Sequence, residues 1–309
     1  MRKIPALVVT VGLLASLTAC ATTPAPGSAG CPPTGDAASV VTATGAFGEK
    51  PDAQVPSPIV TTETQVSTLI EGTGDRILDG TPVIIDYTLY DGTTGAEVED
   101  SGYDGSLNAP ITVGGTALAP LASALECSRV GSRVAVAIKA SELSASVNGG
   151  AGDTDDAPDA AYVAIVDIRQ SFLAKANGRP VLGAQGMPAV VRAPDGAPGV
   201  TVPASEAPTS PESHLVLDGS GRELEADDIA VVQFTAVTWA SPSTVATSSW
   251  TNGGSATSLP LADEQIPASI RDALVGTAIG SQVMVVVPAD EAAGVPQPLV
   301  YVFDVLGAL

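Results

Sequence analysis

Histidine occurs once in this chain, at His214. Catalytic arrangements that need an imidazole beside a serine or cysteine, and metal sites built from several imidazoles, are therefore excluded. The residues with chemical capacity and recurring spacing are of another kind. Tyr87 stands in the apolar run VIIDYT, and Asp100 follows in DSGY together with Tyr103. The arrangement returns with Phe234 in AVVQFT, Thr247 in place of the acid and Trp250 in place of Tyr103. An aromatic ring on an apolar strand is a core residue or a ligand contact. Asp100, beside Ser101 and Gly102, is a pocket carboxylate or the acid of a turn. Tyr103 and Trp250 rim a peptide groove or cap the core. Such a set can grip an apolar segment; it holds no activated nucleophile.

These residues belong to a long internal repeat. VAVAIKASE from Val134 returns as VMVVVPADE from Val283, 149 positions on, and VIIDYT from Val83 as AVVQFT from Ala230, 147 positions on. DSGY returns as TSSW at 147, and AIVDI from Ala164 as YVFDV from Tyr301 at 137. A period this long matches a whole domain. The chain is expected to hold domain 1 over residues 39–170, a linker over 171–185 and domain 2 over 186–309. PVIIDYTLY, DIAVVQFTAV, SRVAVAIKA, SQVMVVVPA, AYVAIVDIRQ and PLVYVFDVLGAL read as strands, being β-branched, aromatic or continuously apolar. One helix is expected per copy. In the first, Leu118, Leu121 and Leu125 form a stripe; in the second, Ile266, Ile270 and Leu274 do so behind Pro267. The late fall in offset assigns an insertion to the first copy at residues 146–160. Its four aspartates lack the alternation and terminal Glu of an EF-hand, and read as a solvated acidic loop.

Residues 1–19 read as an export signal, with Arg2 and Lys3 ahead of an apolar stretch too short to span a bilayer. LTAC, ending at Cys20, is similar to a bacterial lipobox, which makes Cys20 a lipidation site; the other reading is a plain secretory signal. Residues 20–38 are small and rich in Pro and Gly, a tether. The expected location is the extracytoplasmic face of a bacterial cell membrane. Outside the cytoplasm Cys31 and Cys127 are either paired or two buried thiols. The net charge of −21 disfavours nucleic acid and anionic lipid as partners.

In order, each copy has a G-x-G (Gly72 and Gly74; Gly219 and Gly221), the strand ending at Tyr87 or Phe234, the acid-Ser motif, a short helix, a Gly-Ser turn (Gly131, Gly280), a V-x-V strand and a closing strand. This series resembles the FKBP-type peptidyl-prolyl cis-trans isomerases. The resemblance implies an α+β fold of two FKBP-like domains, each a bent antiparallel β-sheet wrapped around one short α-helix. It implies an apolar hollow that isomerises X–Pro bonds without metal or cofactor, acting on proline-containing segments of unfolded or exported proteins. Tyr87, Asp100, Leu118 and Leu121 match catalytic positions of the first copy. Phe234, Ile266, Ile270 and Phe303 match wall positions of the second, where Ala293-Gly294 replaces a Tyr-Gly pair. Leu121 replaces an aromatic floor, Glu99 a phenylalanine and Thr247 the acid. Weak activity is expected in the first copy and little in the second. The alternative is a peptide-binding chaperone without catalysis.

Overall fold

A computed structural model describes residues 30–147, 160–240, 242–251, 254–290 and 296–309. The export signal with Cys20, the tether through residue 29, most of the acidic insertion and Ala293-Gly294 lie outside the described residues.

The first half runs α1 (Asp36–Ser39), β1 (Thr42–Thr44), β2 (Asp52–Gln54), β3 (Gln65–Ile70), β4 (Pro82–Asp91), β5 (Glu97–Asp100), β6 (Ile111–Thr112), α2 (Ala119–Ala124), β7 (Arg133–Lys139), α3 (Ala140–Val147) and β8 (Ala161–Ser171). The second runs β9 (Arg179–Pro180), β10 (Ala189–Arg192), β11 (Pro198–Thr201), β12 (Glu212–Asp218), β13 (Ile229–Thr238), β14 (Val245–Ser248), β15 (Thr257–Pro260), α4 (Ala268–Leu274), β16 (Gln282–Val287) and β17 (Leu299–Ala308). The described chain is thus mostly β-sheet with four helices.

Two sheets repeat one topology. The first has the order β3-β7-β8-β4-β5 with β6 also on β4; the second has β12-β16-β17-β13-β14 with β15 on β13, and β9 added beyond β12. All these pairings are antiparallel. Each sheet is a middle layer. On one face of the first, α2 brings Leu121 and Leu125 against Val83, Ile85, Val134, Val136 and Val166. On the other face Val41 and Ala43 from the β1–β2 hairpin region cover Tyr90, Ala135 and Ile165. Burial from both sides explains why the central strands read as continuous apolar runs. In the second sheet α4 covers one face, and the β10–β11 hairpin with Val200 and Val202 covers the other. A register shift interrupts β4–β8 between Ile84 and Ile85, and β13–β17 between Val231 and Val232. Bulges at matching places bend both sheets.

The G-x-G motifs have a packing cause. A Cβ on Gly72 would lie 2.4 Å from the Val130 carbonyl oxygen, and one on Gly219 would lie 2.5 Å from that of Ile279. Only a bare backbone fits there, and each glycine amide donates to a buried serine hydroxyl, Ser132 or Ser281, at 2.9 Å.

The helix α3 departs from the expectation of one helix per copy. Ala140, Glu142, Leu143 and Ala145 are good helix formers. They follow Lys139, where the second copy has Pro288, which lacks an N–H to donate.

Residues Cys31–Leu309 cluster as one unit. The segment after β8, expected as a joint, is packed. Phe172 joins Ile84, Val231, Ala256 and Leu306 in a cluster that draws on both sheets. The Leu173 amide donates to the Leu306 carbonyl at 3.2 Å, and the amides of Asn177 and Gly178 donate to that of Gly280 at 3.0 and 2.9 Å. The Ala256 amide donates to the Thr112 hydroxyl at 3.0 Å. Cys31 and Cys127 form a disulfide across a sequence separation of 96. Among the described residues no helix is long and apolar enough to cross a membrane.

Candidate functional site

The helix-covered face of each sheet collects most of the residues singled out by sequence. In the first sheet Tyr87 lies on β4, opposite Val166 of β8, half-buried against the cluster that contains Leu121. Leu121 is buried in that cluster and Leu118 packs on its edge. Leu118 caps α2 in the left-handed conformation, φ 50°, which aliphatic residues seldom adopt. It sets the direction in which the helix enters.

The carboxylate that meets Tyr87 is Glu99 and not Asp100. The Tyr87 hydroxyl donates to Glu99 Oε1 at 2.8 Å. Burial, and then this bond, push the tyrosine pKa up to about 12. In the β4–β5 ladder Leu89 pairs with Glu99 and Thr88 with Asp100. Paired residues share a face, so Glu99 joins Leu89 and Tyr87 on the helix side. Asp100 goes to the hairpin side. There Lys50 Nζ bonds both Asp100 Oδ2 and Glu97 Oε1 at 2.7 Å, and the Asp100 carboxyl is held low by that ammonium and by the Gly102 amide. Tyr103 is on the hairpin side too, its hydroxyl 3.1 Å from that of Thr88. The expected Tyr87–Asp100–Tyr103 grouping is therefore not assembled.

The cause is a one-residue error in matching the copies. The Ser101 hydroxyl accepts from the Tyr87 amide at 3.1 Å, and the Ser249 hydroxyl accepts from the Phe234 amide at 2.9 Å. The Ser101 and Ser249 amides return bonds to the Tyr87 and Phe234 carbonyls, each at 2.9 Å. Ser101 thus corresponds to Ser249, an offset of 148 and not 147. Glu99 then corresponds to Thr247, which pairs with Ala236 on the helix side of the second sheet. Trp250 has no counterpart in Tyr103. It lies outside the helix-side cluster, beside a cleft of about 390 Å³ shared with Gly114, Lys175 and Gln233.

The second sheet holds the rings. Phe234 pairs with Phe303, and Ala236 with Tyr301, so the three aromatics lie on one face. Ring centroids are 5.7 Å apart for Phe234–Phe303 and 6.4 Å for Phe234–Tyr301. Tyr301 stacks on Phe303 at 5.7 Å with the planes 4° apart. Ile270 is buried among them and Ile266 partly so. Sequence reasoning missed Tyr301, although its two-residue spacing from Phe303 on a strand was the signal. It missed Glu99 for want of a fixed register.

The opposite faces differ as well. Arg133 and Asp167, both wholly buried, bond at 2.6 and 2.7 Å. The remaining guanidinium donors reach the carbonyls of Gly45, Ala46 and Glu49 in the hairpin. At the matching place Gln282 Nε2 donates to Asp304 Oδ1 at 2.6 Å, and the Ala176 amide to Oδ2 at 2.8 Å. Burial raises the Asp304 pKa and outweighs the bonds from Gln282 and Ala176 and the charges of Arg192 and Lys175, which lower it.

No protein-family model matches the chain and no curated relative matches its sequence. Solved structures do match. The three FKBP domains of wheat FKBP73 align at 14% identity and TM-score 0.30, over 80% of this chain and 94% of that one. FkpA from Escherichia coli aligns at 20% and 0.28, over 36% of this chain and 51% of FkpA. The N-terminal domain of FKBP42 from Arabidopsis thaliana aligns at 17% and 0.29, over 40% and 97%. The chain is similar to FKBP-type peptidyl-prolyl isomerases, multi-domain ones among them. At these values the likeness concerns fold, and the site has to speak through its own residues.

Proposed function

We propose that this chain is an FKBP-type peptidyl-prolyl cis-trans isomerase of two domains, 39–170 and 186–309, anchored through a lipid on Cys20 outside the bacterial cell membrane and acting weakly on exported proteins. The observation that carries the reading is the aromatic set Phe234, Tyr301 and Phe303 beneath α4, a surface that receives a proline ring. An X–Pro bond crosses a barrier of roughly 18–20 kcal/mol and isomerises unaided over tens of seconds. The planar amide is polar through resonance, and the twisted transition state has lost that polarity. A water-poor apolar wall holding the proline favours the twist over the planar state. Neither a nucleophile nor a metal takes part. Among the described residues the helix side of the first sheet carries aliphatic walls, the Tyr87–Glu99 pair and Tyr162, paired with Ile138, without a cluster of rings in contact. The stronger grip is therefore assigned to the second sheet, the opposite of the order expected from sequence.

A second reading, a non-catalytic chaperone that holds proline-bearing segments, is favoured by the position of Asp100. Its carboxylate is bonded to Lys50 on the far face, away from Tyr87. The deciding experiment is NMR exchange spectroscopy of an X–Pro tetrapeptide with the chain from Ala21 onward. Under the isomerase reading the protein speeds exchange, Phe234→Ala/Phe303→Ala lowers the rate at least tenfold, and Tyr87→Phe lowers it less. Peptide binding without faster exchange selects the chaperone.

A further inference from the structure

We propose that Glu99 makes the first sheet's site selective for proline segments in which a lysine or arginine precedes the proline. The inference rests on the reading of the helix face as a peptide site and names the peptide that it prefers.

The surroundings of Glu99 single it out. Three acids stand close together on β5, and the pleat separates them. Glu97 and Asp100 share Lys50 on the hairpin side, so both are engaged there by one ammonium that offsets half of their charge. Glu99 is turned to the other side by its pairing with Leu89, and it is exposed. One of its oxygens accepts from Tyr87. A carboxylate offers about four acceptor positions, so capacity remains for an ammonium or guanidinium. Leu89, its partner across the ladder, and Leu118 and Leu121, in the cluster against which Tyr87 packs, are aliphatic. A ligand seated against them with a cationic neighbour to its proline would meet this carboxylate; one with an acidic neighbour would meet repulsion. The chain's net charge of −21 works in the same direction over longer range by drawing cationic segments inward.

The second sheet provides an internal contrast. The residue at the position of Glu99 is Thr247, paired with Ala236, so the second sheet carries no carboxylate at that position. The two sites are thus expected to differ in what they select: the first reads the residue ahead of the proline, and the second reads apolar bulk.

The test uses Ala-Lys-Pro-Phe, Ala-Leu-Pro-Phe and Ala-Glu-Pro-Phe with the chain from Ala21 onward. Phe234→Ala/Phe303→Ala is introduced to silence the second site, and the set is repeated with Glu99→Gln and Glu99→Lys added. NMR gives both the exchange rate and, from shift perturbation, the dissociation constant. A single solvent-accessible charge pair corresponds to roughly a two- to fivefold preference. The lysine peptide is expected to lead the glutamate peptide by that factor at low salt. The lead should shrink in 0.5 M NaCl, vanish in Glu99→Gln and reverse in Glu99→Lys. Ratios between peptides cancel any general loss caused by removing the bond to Tyr87. Turnover or binding without a lysine preference, or a preference unchanged by Glu99→Gln, overturns the role of Glu99 and leaves the isomerase reading intact. Binding with the preference but without turnover confines isomerisation to the second sheet and retains the selectivity. If no peptide binds this background, the role of Glu99 falls, and exchange measured with the unsubstituted chain decides the isomerase reading separately.

Discussion

Asp167 and Asp304 occupy matching places in the two sheets and face opposite electrostatic fates. Asp167 is bonded to Arg133 with both side chains at 0% exposure. Such a pair contributes little over an apolar pair of equal volume, but removing one partner strands the other charge. Arg133→Met is therefore expected to cost about 3–5 kcal/mol in urea unfolding, with an added loss of order in the hairpin whose carbonyls Arg133 holds. Asp304 has an amide where Asp167 has a cation, and its folded-state pKa lies above the ordinary value because of burial. The folded state therefore binds its proton more tightly than the unfolded state. The stability that goes with that proton is complete below about pH 4 and drains away as pH rises through the folded-state pKa. Asn at this position keeps an acceptor for the Ala176 amide and, once the Gln282 side-chain amide turns over, supplies a donor for Gln282 Oε1, which in the native chain is buried without a partner among the described residues. Asp304→Asn is expected to stabilise by about 1 kcal/mol at neutral pH and to lose that advantage in acid. Thermal melts at pH 4 and pH 7.5 would reveal it; an equal shift at both would mean that Asp304 is not the titrating group.

At the level of elements, sequence carried the strands well and the ladders poorly. β4, β7, β13 and β16 were legible because both faces of each are covered, which forces apolar, β-branched composition along their whole length. The two helices under the sheets were legible through Leu121 and Leu125, and Ile270 and Leu274, spaced by four. The register of β5 was not, because a slip of one residue leaves composition unchanged while exchanging the faces. That single step moved Asp100 out of the site and brought Glu99 in. Tyr301 escaped notice for the opposite reason: the pattern was present, but a strand reading alone did not say that Phe234 pairs beside it. The G-x-G motifs had a cause visible only in three dimensions, the carbonyls of Val130 and Ile279. Gly72→Ala is expected to cost on the order of 2 kcal/mol or more, read as a lower urea midpoint with an unchanged slope. A neutral result would mean that the Gly131 turn can give way.

The molecule as a whole is tied across its middle by Phe172, which lies 9% exposed among side chains from both sheets. Ile84 and Val231, the bulge residues of the two sheets, meet in this cluster. The site that bends each sheet is thus also where the halves join. Phe172→Ala is expected to remove about 3–5 kcal/mol. In differential scanning calorimetry the native chain should melt in one transition, and the variant in two as the halves lose their coupling. One transition in both would locate the coupling elsewhere, in the backbone bonds of residues 173–178.

The bond between Cys31 and Cys127 bears on how this chain takes up force. A pull on the N-terminal tether enters at Cys31 and passes through the sulfurs to Cys127, bypassing α1, the hairpin, β3 to β6 and α2. The 96 chain steps between the two cysteines are withheld from extension, a contour length of roughly 340 Å at full stretch. Held by its two ends in an optical trap, the oxidised chain should unfold to a length shorter by that amount than the chain in dithiothreitol. In the lipid-anchored arrangement proposed above, tension would pass from Cys127 into β7, β8 and the second half, while the stretch carrying Tyr87, Glu99 and Leu118 would stay closed by the disulfide.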